Sequence, residues 1–400
     1  MALPTSQALG DKPSLDGITY VRESNRPPPR SHEGNKMIDN LASAWQTKFG
    51  PKAARSIAAY SGYTNGQTVW LRGRLLSNRP YLGPGQDDSL WDNLKATYRR
   101  WYSREISNAP VELRFGDRTH HVTTDGEGYY TAAISLDASA VSDKPVPPET
   151  VYAHHEGPDG AVSASHRIFA ADEDSNYMVI SDVDDTIIQT GITNKLTSAR
   201  LTFLHNAYTR RPLPGVSMLY RAFNSSSASD AVNPIFYVSN SGWNMHDLLS
   251  DFIDFKQLPP GPLLLRDLSF RGVVRREFSD HKITTLMALM ERFPTTPVVL
   301  IGDSGQHDAE LYEHVALAYP SRVKAIYIRD VDPGVDSAYD RQVDKIAKSV
   351  RGHNVPFKLV SSSWEIAVHA AEIGILSRGT VDKLSQKLSP SASSLGGVGK

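Results

Sequence analysis

Hydrophobic and polar residues alternate with a period of two in several short runs between residues 66 and 170. Such alternation is typical of β-strands that bury one face. Turn sequences at 125–128 and 158–160 separate the runs. The pattern predicts a small β-sandwich-like domain at residues 63–175, with a helical insertion at 90–104.

From residue 176 onward the pattern changes to short apolar runs that alternate with amphipathic helices, at about 244–255, 281–293 and 307–317. Buried strands that alternate with helices form a parallel sheet covered on both faces. We therefore expect a Rossmann-like α/β domain at 176–376, in which ligands bind beyond the carboxyl ends of the strands. The apolar runs are 178–180, 235–238, 263–265, 298–301 and 325–328.

The two ends of the chain read differently. Residues 1–35 are rich in Pro, Ser, Arg and Asp, and the tail at 377–400 ends in Ser, Gly and Ala, so both segments are predicted to be disordered. Apolar residues at helical spacing predict a helical segment at 36–60.

Composition removes several classes of protein. The 400-residue chain has no cysteine, which excludes disulfides, a thiol nucleophile and a Cys-ligated zinc site. A net charge of -1 gives no general attraction to nucleic acid, so no nucleic-acid partner is expected. The first residues lack the features of a secretory signal, and no stretch approaches the roughly 20 apolar residues of a membrane span. We expect a cytoplasmic protein without a transmembrane segment, possibly peripheral on membranes.

The first apolar run of the α/β region leads directly into Asp182 and Asp184. A carboxylate can attack a phosphoryl group and form an aspartyl-phosphate. A second carboxylate two residues on lies on the same side of an extended chain. It can protonate the leaving oxygen and then accept a proton from the attacking water. Asp182 is therefore the candidate nucleophile, and Asp184 the candidate general acid and base.

Three further strand ends or helix starts carry matching chemistry. Ser239 follows the second strand, where a hydroxyl and the next backbone N–H can hold phosphate oxygens. Lys282 lies at the start of a helix and can neutralise charge on the nucleophile and the phosphate, although an exposed lysine is the plainer alternative. Asp303 ends the fourth strand, and Asp308 opens the next helix.

A magnesium site follows from these carboxylates. Mg²⁺ prefers hard oxygen ligands and keeps several waters, so one or two carboxylates suffice. We expect Asp182, the Asp184 backbone carbonyl and Asp303 to bind it. Asp308 orients either Lys282 or a metal-bound water, or is a plain helix-start residue beside the helix dipole. Two aspartates two apart usually mark a solvated turn, but a carboxylate cluster after buried strands is costly without a cation.

These signals, in this order, resemble those of the haloacid-dehalogenase-like phosphatases. Members that cleave carbon–halogen bonds lack the second aspartate and P-type ion pumps carry threonine there, so Asp184 indicates a phosphatase or phosphomutase. Within that superfamily, the chain more narrowly resembles the actin-patch-associated phosphatidate phosphatase family. This resemblance covers residues from about 65 to 375. The blocks that carry it are 179–187, 236–241, 300–308 and 328–330.

That resemblance implies Mg²⁺-dependent hydrolysis of phosphatidate, a phospholipid at a membrane surface, to diacylglycerol. Thr186, Asn240 and Arg329 become candidate substrate-binding residues. Gly242 stands where the family pattern leads us to expect proline. The gaps at 186–234 and 241–281 look too short for a full cap domain, and an open site suits a bulky or membrane-held phosphate.

Two other functions remain open. One is a phosphatase for a soluble or protein-bound phosphate ester, and the other is a catalytically inactive lipid-binding adaptor. The complete set of Asp182, Asp184, Lys282 and Asp303 argues against the adaptor. Aromatic and basic residues in the insertion at 90–104 suit an anionic membrane surface, but packing of the aromatic stripe on the β-rich domain is the commoner arrangement.

Overall fold

Two β-sheets organise the protein in a computed structural model. Ranges 1–54 and 78–104 fall outside the described residues, and with them the predicted N-terminal tail, most of the predicted helical segment and the insertion at 90–104. The described parts of 53–400 pack as one compact unit. The structure describes residues 55–77, 105–136, 149–158, 160–171, 175–183, 215–225, 232–266, 277–304, 307–330 and 338–388.

The first sheet comes from the β-rich region and has eight strands in the order β1-β3-β2-β8-β7-β4-β5, with β6 on the other side of β3. Strand β8 joins the two halves, because residues 160–167 pair with β7 and residues 168–170 pair with β2. The strands are β1 (Ser56–Ala59), β2 (Gly62–Thr64), β3 (Thr68–Leu76), β4 (Pro110–Phe115), β5 (Arg118–Thr123), β6 (Tyr129–Ser135), β7 (Thr150–Gly157) and β8 (Gly160–Ala170).

Alternation along these strands builds one hydrophobic core. In β4, Val111, Leu113 and Phe115 are buried, whereas Glu112 and Arg114 between them are more exposed. Buried residues from both halves of the sheet belong to a single cluster that contains members of β1, β3, β4, β6, β7 and β8. The period-two pattern of the sequence therefore corresponds to one shared interior.

The second sheet is parallel and has the order β11-β10-β9-β12-β13-β14. Its first strand, β9, lies in the middle, so the chain builds outward in one direction and then crosses back to build in the other. The elements are β9 (Met178–Asp182), α1 (Val216–Asn224), β10 (Ile235–Gly242), α2 (His246–Phe255), β11 (Leu263–Arg266), α3 (Glu277–Arg292), β12 (Val298–Asp303), α4 (Asp308–Ala318), β13 (Val323–Arg329), α5 (Ala338–Arg351), β14 (Phe357–Val360), α6 (Ser363–Glu372) and α7 (Arg378–Leu388).

Helices cover both faces of this sheet. Met178 and Ile180 of β9 pack into a cluster with residues of α3, α4 and α5. Val179 packs on the opposite face with residues of α1, α2, α6 and α7. Because β9 is buried on both faces, it reads in the sequence as a continuous apolar run. The predicted strands and the three predicted helices of this region are present, with α3 beginning at Glu277 rather than at 281. The mixed α/β class is thus confirmed.

Two predicted boundaries need correction. Ser56–Ala59, at the end of the predicted helical segment 36–60, form a strand that pairs with β3 and buries Ile57. The predicted disordered tail at 377–400 contains helix α7, whose Leu384 is 7% exposed and packs in the same cluster as α1 and α6. The Ser- and Gly-rich end of the tail obscured this short amphipathic stretch.

No helix within the described ranges is long and apolar enough to cross a lipid bilayer.

Docking of α7 can be tested by truncating its buried side chain. Leu384→Ala should lower the free energy of unfolding by about 2 kcal/mol, because it leaves a cavity against the cluster. Lys383→Ala, at the neighbouring exposed position, is the control and should change stability by about 0.5 kcal/mol or less. Urea unfolding measures the free energy of unfolding of both variants, and an unchanged m-value shows that only stability has changed. Equal stability of the two variants would show that α7 does not pack on this face.

Candidate active site

The candidate site lies at the carboxyl ends of β9 and β12, the two strands between which the chain reverses its direction of building. Asp182 ends β9 and Asp303 ends β12, and the strands pair directly. Both aspartates are almost fully buried, at 1% and 0% exposure. Such a switch point is where open α/β sheets bind ligands.

Lys282 joins the aspartates into one network. Its Nζ lies 2.7 Å from Asp182 Oδ1 and 2.6 Å from Asp308 Oδ1. The second oxygen of Asp308, Oδ2, accepts a hydrogen bond of 3.2 Å from the backbone N–H of Asp303. Helices α3 and α4 thus supply a lysine and an aspartate that connect the ends of the two strands.

The lysine remains charged in this setting. Burial alone lowers the pKa of Lys282, but the carboxylates of Asp182, Asp308 and Asp303 outweigh it and raise the pKa above its ordinary value. Lys282 is therefore an ammonium group at neutral pH. Its three N–H donors can serve two carboxylates and a further oxygen.

Each of the three aspartates offers a carboxylate oxygen within 4.8 Å of the others. Asp308 uses both oxygens, one for Lys282 and one for the Asp303 backbone. This contact favours the orienting role for Asp308. Asp182 and Asp303, which end the two paired strands, stay the predicted oxygen ligands for Mg²⁺.

Two residues that the sequence did not single out allow this arrangement. A Cβ on Gly302 would lie only 2.6 Å from Asp308 Oδ2 and 2.8 Å from Tyr312 Cε2. The Tyr312 hydroxyl donates a 2.9 Å hydrogen bond to the Ile301 carbonyl and so holds α4 on the strand. A glycine inside a strand often marks a close approach of this kind, and that signal was available.

A second buried network supports Asp182 from the opposite face of the sheet. Ser181 Oγ donates to the Asp182 carbonyl at 2.7 Å and lies 2.6 Å from the Tyr220 hydroxyl oxygen. Burial raises the pKa of Tyr220, so its hydroxyl stays protonated. Because the Ser181 hydroxyl already donates to the Asp182 carbonyl, Tyr220 is the hydrogen-bond donor to Ser181 Oγ. The peptide that follows Asp182 is therefore fixed independently of Lys282.

Ser239 and Asn240 lie in an irregular stretch of β10. The described pairing with β9 runs to Val238, opposite Asp182, and the pairing with β11 resumes at Gly242 after a register shift. Ser239 is buried, and its Oγ accepts a 2.9 Å hydrogen bond from the Ser241 backbone N–H. The φ of Gly242 is -76°, a value that proline also adopts, so glycine leaves this backbone path unchanged.

Arg329 lies beside Asp303 across the β12–β13 pair, but the described hydrogen bond of its side chain goes to α6. It ends β13, is 5% exposed, and donates a 3.0 Å hydrogen bond to Ser363 Oγ at the start of α6. Burial lowers the pKa of its guanidinium, and Tyr220 and Glu365 partly offset this effect. Asp184 and Thr186 lie outside the described residues.

The adjacent histidines at 154 and 155 face opposite sides of the β-rich sheet, as expected for neighbours in a strand. His154 Nδ1 lies 2.9 Å from Ser163 Oγ on the outer face, and His155 is buried beside the Pro110 carbonyl. Neither histidine belongs to the carboxylate site.

The close approach at Gly302 gives a stability test. Gly302→Ala should lower the free energy of unfolding by about 1–3 kcal/mol, because Asp308 and Tyr312 must both move. Gly126→Ala is the matched control, since nothing lies within 4 Å of the added methyl group and its turn is exposed. Chemical denaturation of both variants measures the difference. A Gly302→Ala protein as stable as the control would contradict the contact.

Comparison with known proteins shows which proteins the chain resembles. The family described as "Phosphatidate phosphatase APP1, catalytic domain" matches residues 177–330. Phosphatidate phosphatase APP1 of Saccharomyces cerevisiae is 29% identical over 267 residues, which are 62% of this chain and 42% of the yeast protein. An uncharacterised protein of Schizosaccharomyces pombe is 26% identical over 215 residues, which are 53% of this chain and 34% of that protein. The chain thus spans less than half the length of these relatives.

Similarity to solved structures is low. A carbohydrate acetylesterase from Xanthomonas citri covers 72% of this chain and 72% of its own, at 8% identity and a TM-score of 0.24, which supports no argument. The family match contains Asp182, Ser239, Lys282 and Asp303, whose geometry is described above. Residues 177–330 thus match the catalytic domain of the APP1 phosphatidate phosphatases, and over this range the chain is similar to that family.

Proposed function

We propose that the protein is a Mg²⁺-dependent phosphatidate phosphatase, which hydrolyses phosphatidate to diacylglycerol and phosphate through an aspartyl-phosphate on Asp182. The observation that carries the proposal is the contact of 2.7 Å between Asp182 and Lys282, beside Asp303 at the carboxyl edge of the sheet. We further propose that the α/β region is a haloacid-dehalogenase-like Rossmann domain and the β-rich region a β-sandwich. The strand order, with β9 central, supports the first assignment.

In the first step, a carboxylate oxygen of Asp182 attacks phosphorus, and the bond from phosphorus to the diacylglycerol oxygen breaks. Asp184 donates a proton to that leaving oxygen. Lys282, held between Asp182 and Asp308, offsets the negative charge of the nucleophile as it approaches the phosphate. The hydrogen bond from Lys282 to Asp308 fixes the direction of the ammonium group.

In the second step, water attacks phosphorus, the bond to Asp182 breaks, and Asp184 accepts the proton of the water. Ser239 and the backbone N–H groups after it hold the phosphate oxygens, with Asn240 and Thr186 as further substrate contacts. Arg329 remains a proposed substrate-binding residue at the outer rim, since its described bond is to Ser363. Inorganic phosphate is then released.

The residues present fit Mg²⁺. Three buried carboxylates and one ammonium crowd into one site, and such an excess of negative charge is unfavourable without a cation. Asp182, Asp303 and the Asp184 carbonyl would hold the ion. When bound, it would offset the negative charge of the phosphate and of these carboxylates.

The substrate is the part of the proposal that depends most on the relatives. The yeast relative is named a phosphatidate phosphatase, and the short gaps in the sequence favour an open site. We propose a cytoplasmic protein that meets phosphatidate at a membrane surface, with residues 176–376 as the catalytic domain. The β-rich domain, proposed at 63–175 from the sequence, then includes β1 and begins at 56.

A phosphatase assay tests nucleophile and substrate together. Phosphate release from phosphatidate in mixed micelles should require Mg²⁺, disappear with EDTA, and fall on the order of 10³-fold or more in Asp182→Asn. A soluble aryl phosphate runs in parallel. Release from the soluble ester alone would keep the mechanism and reject the lipid substrate. Release from neither would favour the adaptor.

Metal binding has a readout independent of activity. Saturating Mg²⁺ should raise the melting temperature, because at 100 times its Kd a ligand stabilises the folded state by about 2.7 kcal/mol. Asp303→Asn should abolish this shift. Without metal the same variant should be as stable as the wild type or more so, since it removes one of three crowded charges.

The control for this measurement is Asp382→Asn, which removes an exposed carboxylate on α7. It should keep the full Mg²⁺ shift. An equal shift in Asp303→Asn and wild type would exclude Asp303 as a ligand.

A further inference from the structure

The end of β10 is irregular within its own sheet and also contacts the other sheet. Its described pairing with β9 runs to Val238, opposite the last residue of β9, and its register with β11 shifts between Val238 and Gly242, which pairs with Arg266. Residues 239–241 therefore leave the regular ladder at the place where the phosphate contacts are proposed. We call residues 239–242 the β10 turn.

Trp243 fixes the far end of the β10 turn. It directly follows Gly242 and is only 7% exposed. Its ring stacks on Tyr60 of the β-rich region, with centroids 4.7 Å apart and planes inclined by 25°. The guanidinium of Arg72, on β3, lies 5.1 Å from the centroid of Trp243. The β10 turn is thus held by β11 at Gly242 and, one residue later, by two residues of the other sheet.

The surface that receives Trp243 is itself rigidly attached. The Tyr60 backbone N–H donates to the Arg72 carbonyl at 3.2 Å, and the Tyr60 carbonyl lies 2.7 Å from Nδ1 of buried His166. Arg72 also lies over the ring of buried Tyr129, at 4.3 Å. Strand β3 and its neighbours therefore hold Tyr60 and Arg72 in place, and these two residues contact the Trp243 ring.

We infer that the β-rich region positions the β10 turn through Trp243, with Tyr60 and Arg72 as its supports. All three are positioning residues, since they act on Ser239 through the chain and do not touch the reacting atoms. The inference rests on the proposed function, in which the β10 turn holds the phosphate. Misplacement of catalytic groups by about 1 Å can cost on the order of 10²-fold in rate.

The test compares Trp243→Leu with a matched truncation elsewhere between the two sheets. Tyr63 is the control site, because it is buried, stacks on Trp70, and meets Phe236 and Phe293 away from the carboxyl end of β10. Both Trp243→Leu and Tyr63→Leu remove one buried aromatic side chain and should lower the melting temperature. Trp243→Leu alone should lower kcat on a soluble aryl phosphate, by about 10-fold or more.

Two further readouts separate positioning from simple loss of stability. Trp243→Phe keeps an aromatic ring and should recover most of kcat. Amide hydrogen exchange in 239–242 should become faster in Trp243→Leu than in Tyr63→Leu, while exchange in 298–303 stays alike. If Trp243→Leu does not fold, Arg72→Met removes only the half-buried cation and takes its place in the same measurements.

The outcomes distinguish the two hypotheses. Equal losses of kcat in Trp243→Leu and Tyr63→Leu, with equal exchange in the β10 turn, would overturn the positioning role and leave the proposed function intact. A wild type that hydrolyses neither phosphatidate nor the aryl phosphate would reject the proposed function. Hydrogen exchange would then decide the structural part alone, and faster exchange confined to Trp243→Leu would support it.

Discussion

The double contact of Lys282 with Asp182 and Asp308 is the interaction on which the site depends. It connects β9, α3 and α4, and the bond from the Asp303 backbone to Asp308 adds β12. Removing the lysine would leave the buried carboxylates without compensation, at a cost of about 3–5 kcal/mol. The lysine is therefore a structural clamp, and in the proposed function it is also the charge that the phosphate meets. Both roles follow from its complete burial among carboxylates.

The hydrophobic clusters on the two faces of the sheet stabilise the fold enough to keep this polar cluster buried. Strand β9 is covered by helices on both faces, and its apolar residues belong to two separate clusters. The free energy of folding that these clusters supply can offset the repulsion between like charges at one edge of the sheet. Proteins commonly accept such a loss of stability at a functional site. The same architecture explains the location, because neighbouring parallel strands bring their carboxyl ends, and hence Asp182 and Asp303, to one edge.

Much of the parallel sheet and of the candidate site could be predicted from the sequence. Apolar runs located the strands of the parallel sheet, and polar residues directly after them identified Asp182, Ser239 and Asp303. Local patterns were less informative at the margins: Ser56–Ala59 form a strand because β3 pairs with them, and α7 is helical because α1 and α6 bury Leu384. The stacking of Trp243 on Tyr60 was also beyond reach, since it joins residues far apart in the sequence whose local pattern does not record it.

That distant contact bears on why a β-rich region precedes the α/β region. A parallel sheet fixes its strands less firmly where their register shifts, and β10 has such a shift between Val238 and Gly242. The strand that ends at Asp182 has its own support, through Ser181 and Tyr220. The β10 turn is paired with β11 at Gly242 and is followed by a tryptophan held by Tyr60 and Arg72. The neighbouring sheet thus adds a second support at this strand end, so the β-rich region contacts the architecture of the candidate site.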